Sequence, residues 1–322
     1  MAEDSARKLR VAAVQMESKN GLIKANLKHA LPFVEEAVNK GAKLIVLPEF
    51  MPTGYIFTQA IWDAGEPKDG LTVKWLKEHS KRLGVYLGTS FLEADGEDFF
   101  NTFVLTTPEG KEAGQVRKQT PAAFEAYFTK GYPGPHVIKT NFGNVGVGIC
   151  YENMLSYIPH LMYTHPVDIM LMPHSAPSPM KSIFTPPKAV NAFNRNLKEL
   201  AVYYAKLLGI PTIMINKSGT WETPLPGIPF LKQVSFFPGF SAIADSDGTL
   251  KAQLGNEEAV IVEDVIIDPS RKTKSTPECK GRWAGDFPWG IKIWRQVEAV
   301  GSIWYRFSSE RKRRAREISS SK

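Results

Sequence analysis

The chain has 322 residues, 43% hydrophobic and 23% charged, which suits a soluble globular protein built as one large α/β domain or two small ones. No apolar run approaches the roughly 20 residues of a membrane span, and two cysteines, Cys150 and Cys279, are too few for a disulfide framework or a four-cysteine zinc site. The net charge of +7 is local: residues 271–322 hold 14 Lys/Arg against 5 Asp/Glu, whereas the preceding 270 hold 26 against 28, so the body of the chain is not a basic nucleic-acid binder. Met1–Lys8 is charged and lacks the apolar stretch of a secretory signal, and a reducing cytoplasm is the expected location. The run 311–316 is expected to be solvated or disordered, with attraction to nucleic acid or a membrane surface as the alternative.

In chain order, Val11–Met16 reads as a short strand. Leu27, Leu31, Val34 and Val38 then form one face of an amphipathic helix, with Pro32 inside it to kink it or move its start. Leu44–Leu47 is a buried strand that delivers Pro48 and Glu49. A helical segment over Val73–Leu83 precedes the strand Val85–Ser90. Phe99–Thr106 and Lys111–Arg117 flank a turn and predict a hairpin. A loop rich in Pro, Gly and aromatics covers 118–136. A small-residue apolar strand, 144–149, then delivers Cys150 where the chain must turn. Further elements are a helix near Ile158–Tyr163, a strand Ile169–Met172, a helix Asn194–Leu208, a strand Thr212–Asn216, a hairpin from Phe240–Ala244 and Leu250–Gln253, and a last strand Ala259–Ile267. Strands alternating with helices, plus hairpins, indicate an α/β layered sandwich with a mixed sheet. Periodicity fades from Asp268, leaving a main domain over 9–268 and an extension over 269–322, in which Trp283, Trp289, Trp294 and Trp304 are dense.

A thiol attacks as thiolate, so Cys150 needs a base or a cationic neighbour. A Gly-x-nucleophile-x-Gly elbow requires glycine at 152, where this chain has Glu152. None of the six histidines lies in a recognisable partner motif, and a lone strand-end cysteine is also compatible with inert core. Two other strand ends bear on the choice: Glu49 follows Leu44–Leu47, and Lys118 ends the strand at 111–117, seven residues before Glu125. A carboxylate, an ammonium and a thiol suffice for covalent acyl transfer. Taken singly, Glu49 is equally a solvated loop acid, and Lys118 or Glu125 half of a surface ion pair.

Leu47-Pro48-Glu49, Arg117-Lys118-x-x-Pro121 and Gly148-Ile149-Cys150-Tyr151-Glu152-Asn153 resemble, in order, the three signature blocks of the nitrilase superfamily of carbon–nitrogen hydrolases. The resemblance spans roughly 9–268, with Asn216 and Gly239–Ile243 matching later strands. It implies an αββα four-layer sandwich and a triad of Glu49 as general base and acid, Lys118 as oxyanion stabiliser and Cys150 as nucleophile. It also implies a supporting role for Glu125 and an oxyanion contact from the backbone N–H of Tyr151. No metal or organic cofactor is implied. Tyr151 stands where true nitrilases usually carry Trp, and Gln119, Thr120 and Ala122 depart from the nitrilase block. The leading expectation is therefore a small linear amide as substrate, with a nitrile next and acyl transfer by the same triad third. Tyr55 and His174-Ser175-Ala176 are candidate pocket residues. By the same resemblance a homodimer or larger assembly is expected, with 283–304 as a candidate contact.

Overall fold

β1 (Arg7–Gln15) shows how the layers are chosen. Val11 and Ala13 point into one apolar cluster, and Ala12 and Val14 into another. That is the two-residue alternation of a strand covered on both faces. The computed structural model describes residues 5–179, 185–225, 228–285 and 294–321.

β1 is followed by α1 (Ile23–Asn39), β2 (Leu44–Val46), β3 (Glu66–Pro67), α2 (Leu71–Leu83), β4 (Tyr86–Asp95), β5 (Asp98–Thr106) and β6 (Glu112–Arg117). Then come β7 (Val137–Thr140), β8 (Gly143–Val147), α3 (Tyr157–Thr164), β9 (Ile169–Pro173), α4 (Pro187–Leu208) and β10 (Thr212–Ile215). The chain closes with β11 (Ser218–Leu225), β12 (Ile228–Pro238), β13 (Ala242–Ala244), β14 (Leu250–Gln253), β15 (Ala259–Ile267), α5 (Trp294–Phe307) and α6 (Ser309–Ser319). One sheet has the order β15-β1-β2-β4-β5-β6, with β3 beside β4; the other has the order β14-β13-β10-β9-β8-β7. Leu27, Val34 and Ala37 of α1 and Val73 and Leu76 of α2 cover the outer face of the first sheet. Phe193, Leu197, Ala201 and Tyr204 of α4 cover the second. The result is the expected four-layer αββα sandwich.

Both sheets are mixed. β1, β2 and β4 run parallel, as do β8, β9 and β10, while the outer strands are antiparallel. The parallel strands bring the chain positions after β2, β8, β9 and β10 to the same end of the sandwich, where α/β sheets present functional groups.

Several local expectations differ from the structure. α1 starts at Ile23 and runs through Pro32. α4 begins at Pro187, two turns before Asn194, with proline at its first position where no intrahelical donor is needed. The stretch 118–136 contains a 3-10 turn, Ala123–Tyr127. β11 and β12 form a separate two-stranded sheet that sequence periodicity did not single out.

The basic run is the main correction. Instead of a solvated or disordered tail it forms α6, with Ala315 fully buried and Arg311 only 4% exposed. Acidic partners explain this: Arg311 pairs with Asp98 and donates to the carbonyl of Glu97, Arg314 pairs with Asp63, and Arg316 with Glu97. Ser308 caps the helix by accepting the Arg311 N–H at 3.2 Å. Arg311→Met leaves Asp98 with Lys130 as its remaining cation and takes a charged donor from the Glu97 carbonyl, and is expected to cost about 2 kcal/mol in urea unfolding with an unchanged m value. A cost below about 0.5 kcal/mol would place this pair among ordinary surface ion pairs. Among the described residues no helix is long and apolar enough to cross a membrane.

Candidate active site

Each member of the expected triad sits just beyond a strand end. Glu49 follows β2, Lys118 directly follows β6, and Cys150 opens a 3-10 turn, Cys150–Met154, after β8. Folding brings them together. The Lys118 ammonium donates to Glu49 Oε1 at 2.8 Å and to Glu125 Oε2 at 2.6 Å. The Cys150 thiol lies beside the Glu49 carboxylate, near enough for each to shift the other's proton affinity. The Ser175 N–H donates to Glu49 Oε2 at 2.7 Å, and its hydroxyl donates to the Glu49 carbonyl at 2.6 Å. Glu49 and Glu125 are fully buried, and Lys118 and Cys150 nearly so.

Burial and charge act against each other on every member. Burial pushes the Glu49 carboxyl up, but the Lys118 charge and the bonds from Lys118 and Cys150 outweigh it, so Glu49 lies below the ordinary range. For Glu125, burial and the neighbouring Glu49 win over Lys118 and raise it. Burial alone would lower Lys118, yet two carboxylates hold it well above its usual value, and it stays an ammonium. Burial, followed by the Glu49 charge, pushes the Cys150 thiol well up. The resting cysteine is therefore a thiol that needs a base, and the carboxylate touching it is ionised at neutral pH.

The backbone here is strained. Phe50, Ala123 and Cys150 have φ of 47°, 43° and 53°, the left-handed region that side chains avoid at a cost of about 1–3 kcal/mol each. The three positions adjoin or include Glu49, Glu125 and the thiol. Gly148 permits the third turn: a Cβ there would lie 2.0 Å from Asn153 Oδ1, whose amide nitrogen donates to the Gly148 carbonyl at 2.8 Å.

Three residues that were not among the expected site residues hold this geometry. Asn101 of β5 donates to Glu49 Oε1 at 2.7 Å and Glu125 Oε1 at 3.0 Å, tying the two acids together. Glu152 is a structural clamp: it accepts from the Gln119 N–H at 2.6 Å, the Tyr157 hydroxyl at 2.6 Å and the Ile149 N–H at 3.0 Å, and it meets His136 Nε2 at 3.2 Å. Lys217, fully buried, donates to the Phe50 carbonyl at 2.9 Å, while the Phe50 N–H reaches Ser90 Oγ at 2.9 Å. Only Asn216 beside it carried a sequence signal.

Burial depresses Lys217 to about 7, from 10.5 in an open chain. The unfolded chain binds that proton more tightly, so between those two pH values this group makes stability rise with pH. Lys217→Met is expected to flatten the rise; urea unfolding at pH 7 and pH 9 measures it, and equal slopes in both proteins would refute it.

A cavity of about 290 Å³ opens onto Cys150 and is lined also by Tyr55, His174, Ser175 and Ala176, the four positions expected at a pocket. His174 is kept neutral, pushed down to about 4 by burial, and its Nδ1 meets the Met172 carbonyl at 2.8 Å. A larger groove of about 590 Å³ between 119–131 and the C-terminal helices does not include the thiol. The Tyr151 ring is packed by Trp283 and Trp294, with centroids at 6.3 and 5.5 Å, so these two tryptophans of the candidate assembly contact are used within the chain. Trp289 lies outside the described residues. Among the described residues no group of three or more His, Cys, Asp and Glu is placed to hold a metal ion.

The profile of the carbon-nitrogen hydrolase family matches residues 10–274. N-carbamoylputrescine amidase of Arabidopsis thaliana is 26% identical over 278 residues, 83% of this chain and 89% of that protein. A nitrilase of Pyrococcus abyssi is 32% identical over 148 residues, 45% of this chain and 56% of that one. Among solved structures, a carbon-nitrogen hydrolase from Helicobacter pylori G27 shares the fold with a TM-score of 0.70 at 18% identity, over 94% of this chain and 96% of that one. The chain belongs to the carbon-nitrogen hydrolase family, within the nitrilase superfamily, and is a hydrolase of carbon–nitrogen bonds.

Proposed function

We propose that this hydrolase is an amidase that cleaves the C–N bond of a small linear amide through a thioester on Cys150. The observation that carries the reading is a buried thiol at the wall of a cavity with an ionised carboxylate and an ammonium, paired to each other, packed behind that wall. Glu49 takes the thiol proton as sulfur bonds the amide carbon. Lys118 and the Tyr151 N–H, at the start of a turn whose first donors have no partner within it, hold the oxyanion. Glu49 then gives its proton to the departing nitrogen, the C–N bond breaks, and ammonia or an amine leaves. Water, deprotonated by Glu49, attacks the thioester to release carboxylate and thiol. Glu125 keeps Lys118 in place and charged.

A nitrile is the second reading, favoured by the likeness to the Pyrococcus abyssi nitrilase; it proceeds through a thioimidate, which water converts to the same thioester as ammonia leaves. Ammonia and carboxylate measured over matched amides and nitriles, with and without hydroxylamine, decide the matter. Turnover of nitriles alone, or hydroxamate as the only product, overturns the amidase reading. Because Glu49 lies below the ordinary value of 4.5, the acid limb of kcat/KM is expected below that pH. A limb near neutrality would assign the base to another group.

The same proposal places the catalytic unit in 9–268, in the cytoplasm, as a homodimer or larger assembly. An exposed apolar stripe on α5, Val300, Ile303 and Phe307, supports self-association. Light scattering of the full chain, with a monomer as the refuting result, tests it.

A further inference from the structure

We infer that the cavity above Cys150 selects amides whose acyl part is uncharged and apolar, of aryl or branched-alkyl type, and that Trp294 of the C-terminal extension helps to set that preference. The inference rests on the hydrolase reading for its reaction and on the cavity walls for its selectivity.

One wall is a set of interlocked rings. Tyr55 and Phe57 meet at 4.9 Å, Phe57 and Trp221 at 4.9 Å, and Phe57 and Phe124 at 5.7 Å. The Trp221 indole N–H is already spent on the Tyr55 carbonyl at 2.6 Å, which fixes that ring as an apolar face. The opposite wall combines Tyr151 and Phe193 with Trp294, whose ring lies 5.5 Å and 6.4 Å from theirs. Trp294 lies beyond the family match at 274, so the extension contributes to this chain's cavity directly.

The lining among the described residues carries no Asp, Glu, Lys or Arg, and its histidine is neutral. Its polar side chains, such as Gln233 and Ser178, are neutral as well, and Ser178 Oγ is already engaged by Asn194 at 3.1 Å. A charged substrate end would lose its water here without gaining an opposite charge. The volume of about 290 Å³ is roughly twice that of a cavity that accepts benzene, enough for about ten non-hydrogen atoms. Since ammonia is a small leaving group, that space belongs to the acyl part.

The test uses the full chain and three probes: phenylacetamide, ammonium-bearing 5-aminopentanamide and carboxylate-bearing succinamate. Ammonia release is expected to give kcat/KM at least about 100-fold higher for phenylacetamide than for either charged amide. Binding of the same probes to Cys150→Ala, followed by calorimetry, is expected to favour phenylacetamide at least about tenfold. Charged amides turned over or bound as well as phenylacetamide overturn the pocket assignment while leaving hydrolysis standing. Selective binding of phenylacetamide, without ammonia release from any amide by the wild type, supports the pocket and sinks the amidase reading. Binding and turnover of none of the probes overturn both. Trp294→Ala is expected to lower kcat/KM about tenfold for phenylacetamide and much less for acetamide, which does not reach it. An equal loss on both overturns its role in selectivity.

Discussion

Cys150→Ala is expected to lower ammonia release from a good substrate by at least about 10⁴-fold while leaving the protein folded. The size follows from the mechanism proposed for the site: no other thiol lines the cavity, and without sulfur there is no thioester to divide the reaction into two easier steps. The fold should tolerate the change, because alanine differs only by the missing sulfur and meets no greater penalty than cysteine at φ 53°. The thermal midpoint, measured alongside, should move by only a few degrees. Unchanged ammonia release in a folded variant would sink covalent catalysis at this residue. Cys150→Ser makes the same point chemically, since its hydroxyl holds its proton far more tightly than a thiol and Glu49 is a weak base for it.

Lys118→Met should be the most destabilising single change in the site, by about 3–5 kcal/mol at neutral pH. Glu49 and Glu125 are both fully buried, and the Asn101 amide that bridges them carries no charge. With the ammonium gone, burial and mutual repulsion lift both carboxyls above 4.5, their open-chain value. A carboxyl raised in the folded state contributes stability below that pH and loses it as pH rises, so the deficit against wild type is greatest near pH 7 and shrinks below pH 4.5. Urea unfolding of both proteins at pH 4 and pH 7 reads this directly. The same deficit at both values would attribute the loss to packing alone. Under the mechanism proposed for the site, hydrolysis should disappear in this variant at any pH where it folds, because the oxyanion would lose its cation.

The C-terminal extension bears on both experiments. Its α5 lies against the 3-10 turn that carries Glu125: a Cβ at Gly301 would come within 2.8 Å of the Tyr127 ring and 3.0 Å of Ala126. The Arg282–Glu298 pair, at 2.5 Å, and Trp294 lie by Tyr151, the residue after Cys150. Truncations meant to remove only the basic tail should therefore stop after α5, since a cut before 294 removes packing from the turn that carries Glu125 and from the turn that carries Cys150 together.

The chemistry-bearing strand ends were legible in the chain because strand period and turn residues are local signals. Leu44–Leu47 ends in Pro48-Glu49, β6 ends at Lys118, and a glycine-rich strand ends at Cys150; with the order of the three blocks, that was enough to indicate the four-layer fold and to single out Glu49, Lys118, Glu125 and Cys150. What no local pattern contains is which distant groups meet. Asn101 joins two acids from the middle of a strand that reads as ordinary core, and Lys217 is buried against the Phe50 carbonyl 167 residues away. Arg311–Arg316 read as solvent-facing because their partners Asp63, Glu97 and Asp98 are remote in sequence. The aromatic walls were equally hidden, since they draw on six separate stretches of chain, around 55, 124, 151, 193, 221 and 294. Sequence by itself determined which residues could react and the layers that carry them. Only the tertiary structure decided how their charges balance and what the cavity above the thiol admits, because both depend on burial and on pairings between residues far apart in the chain.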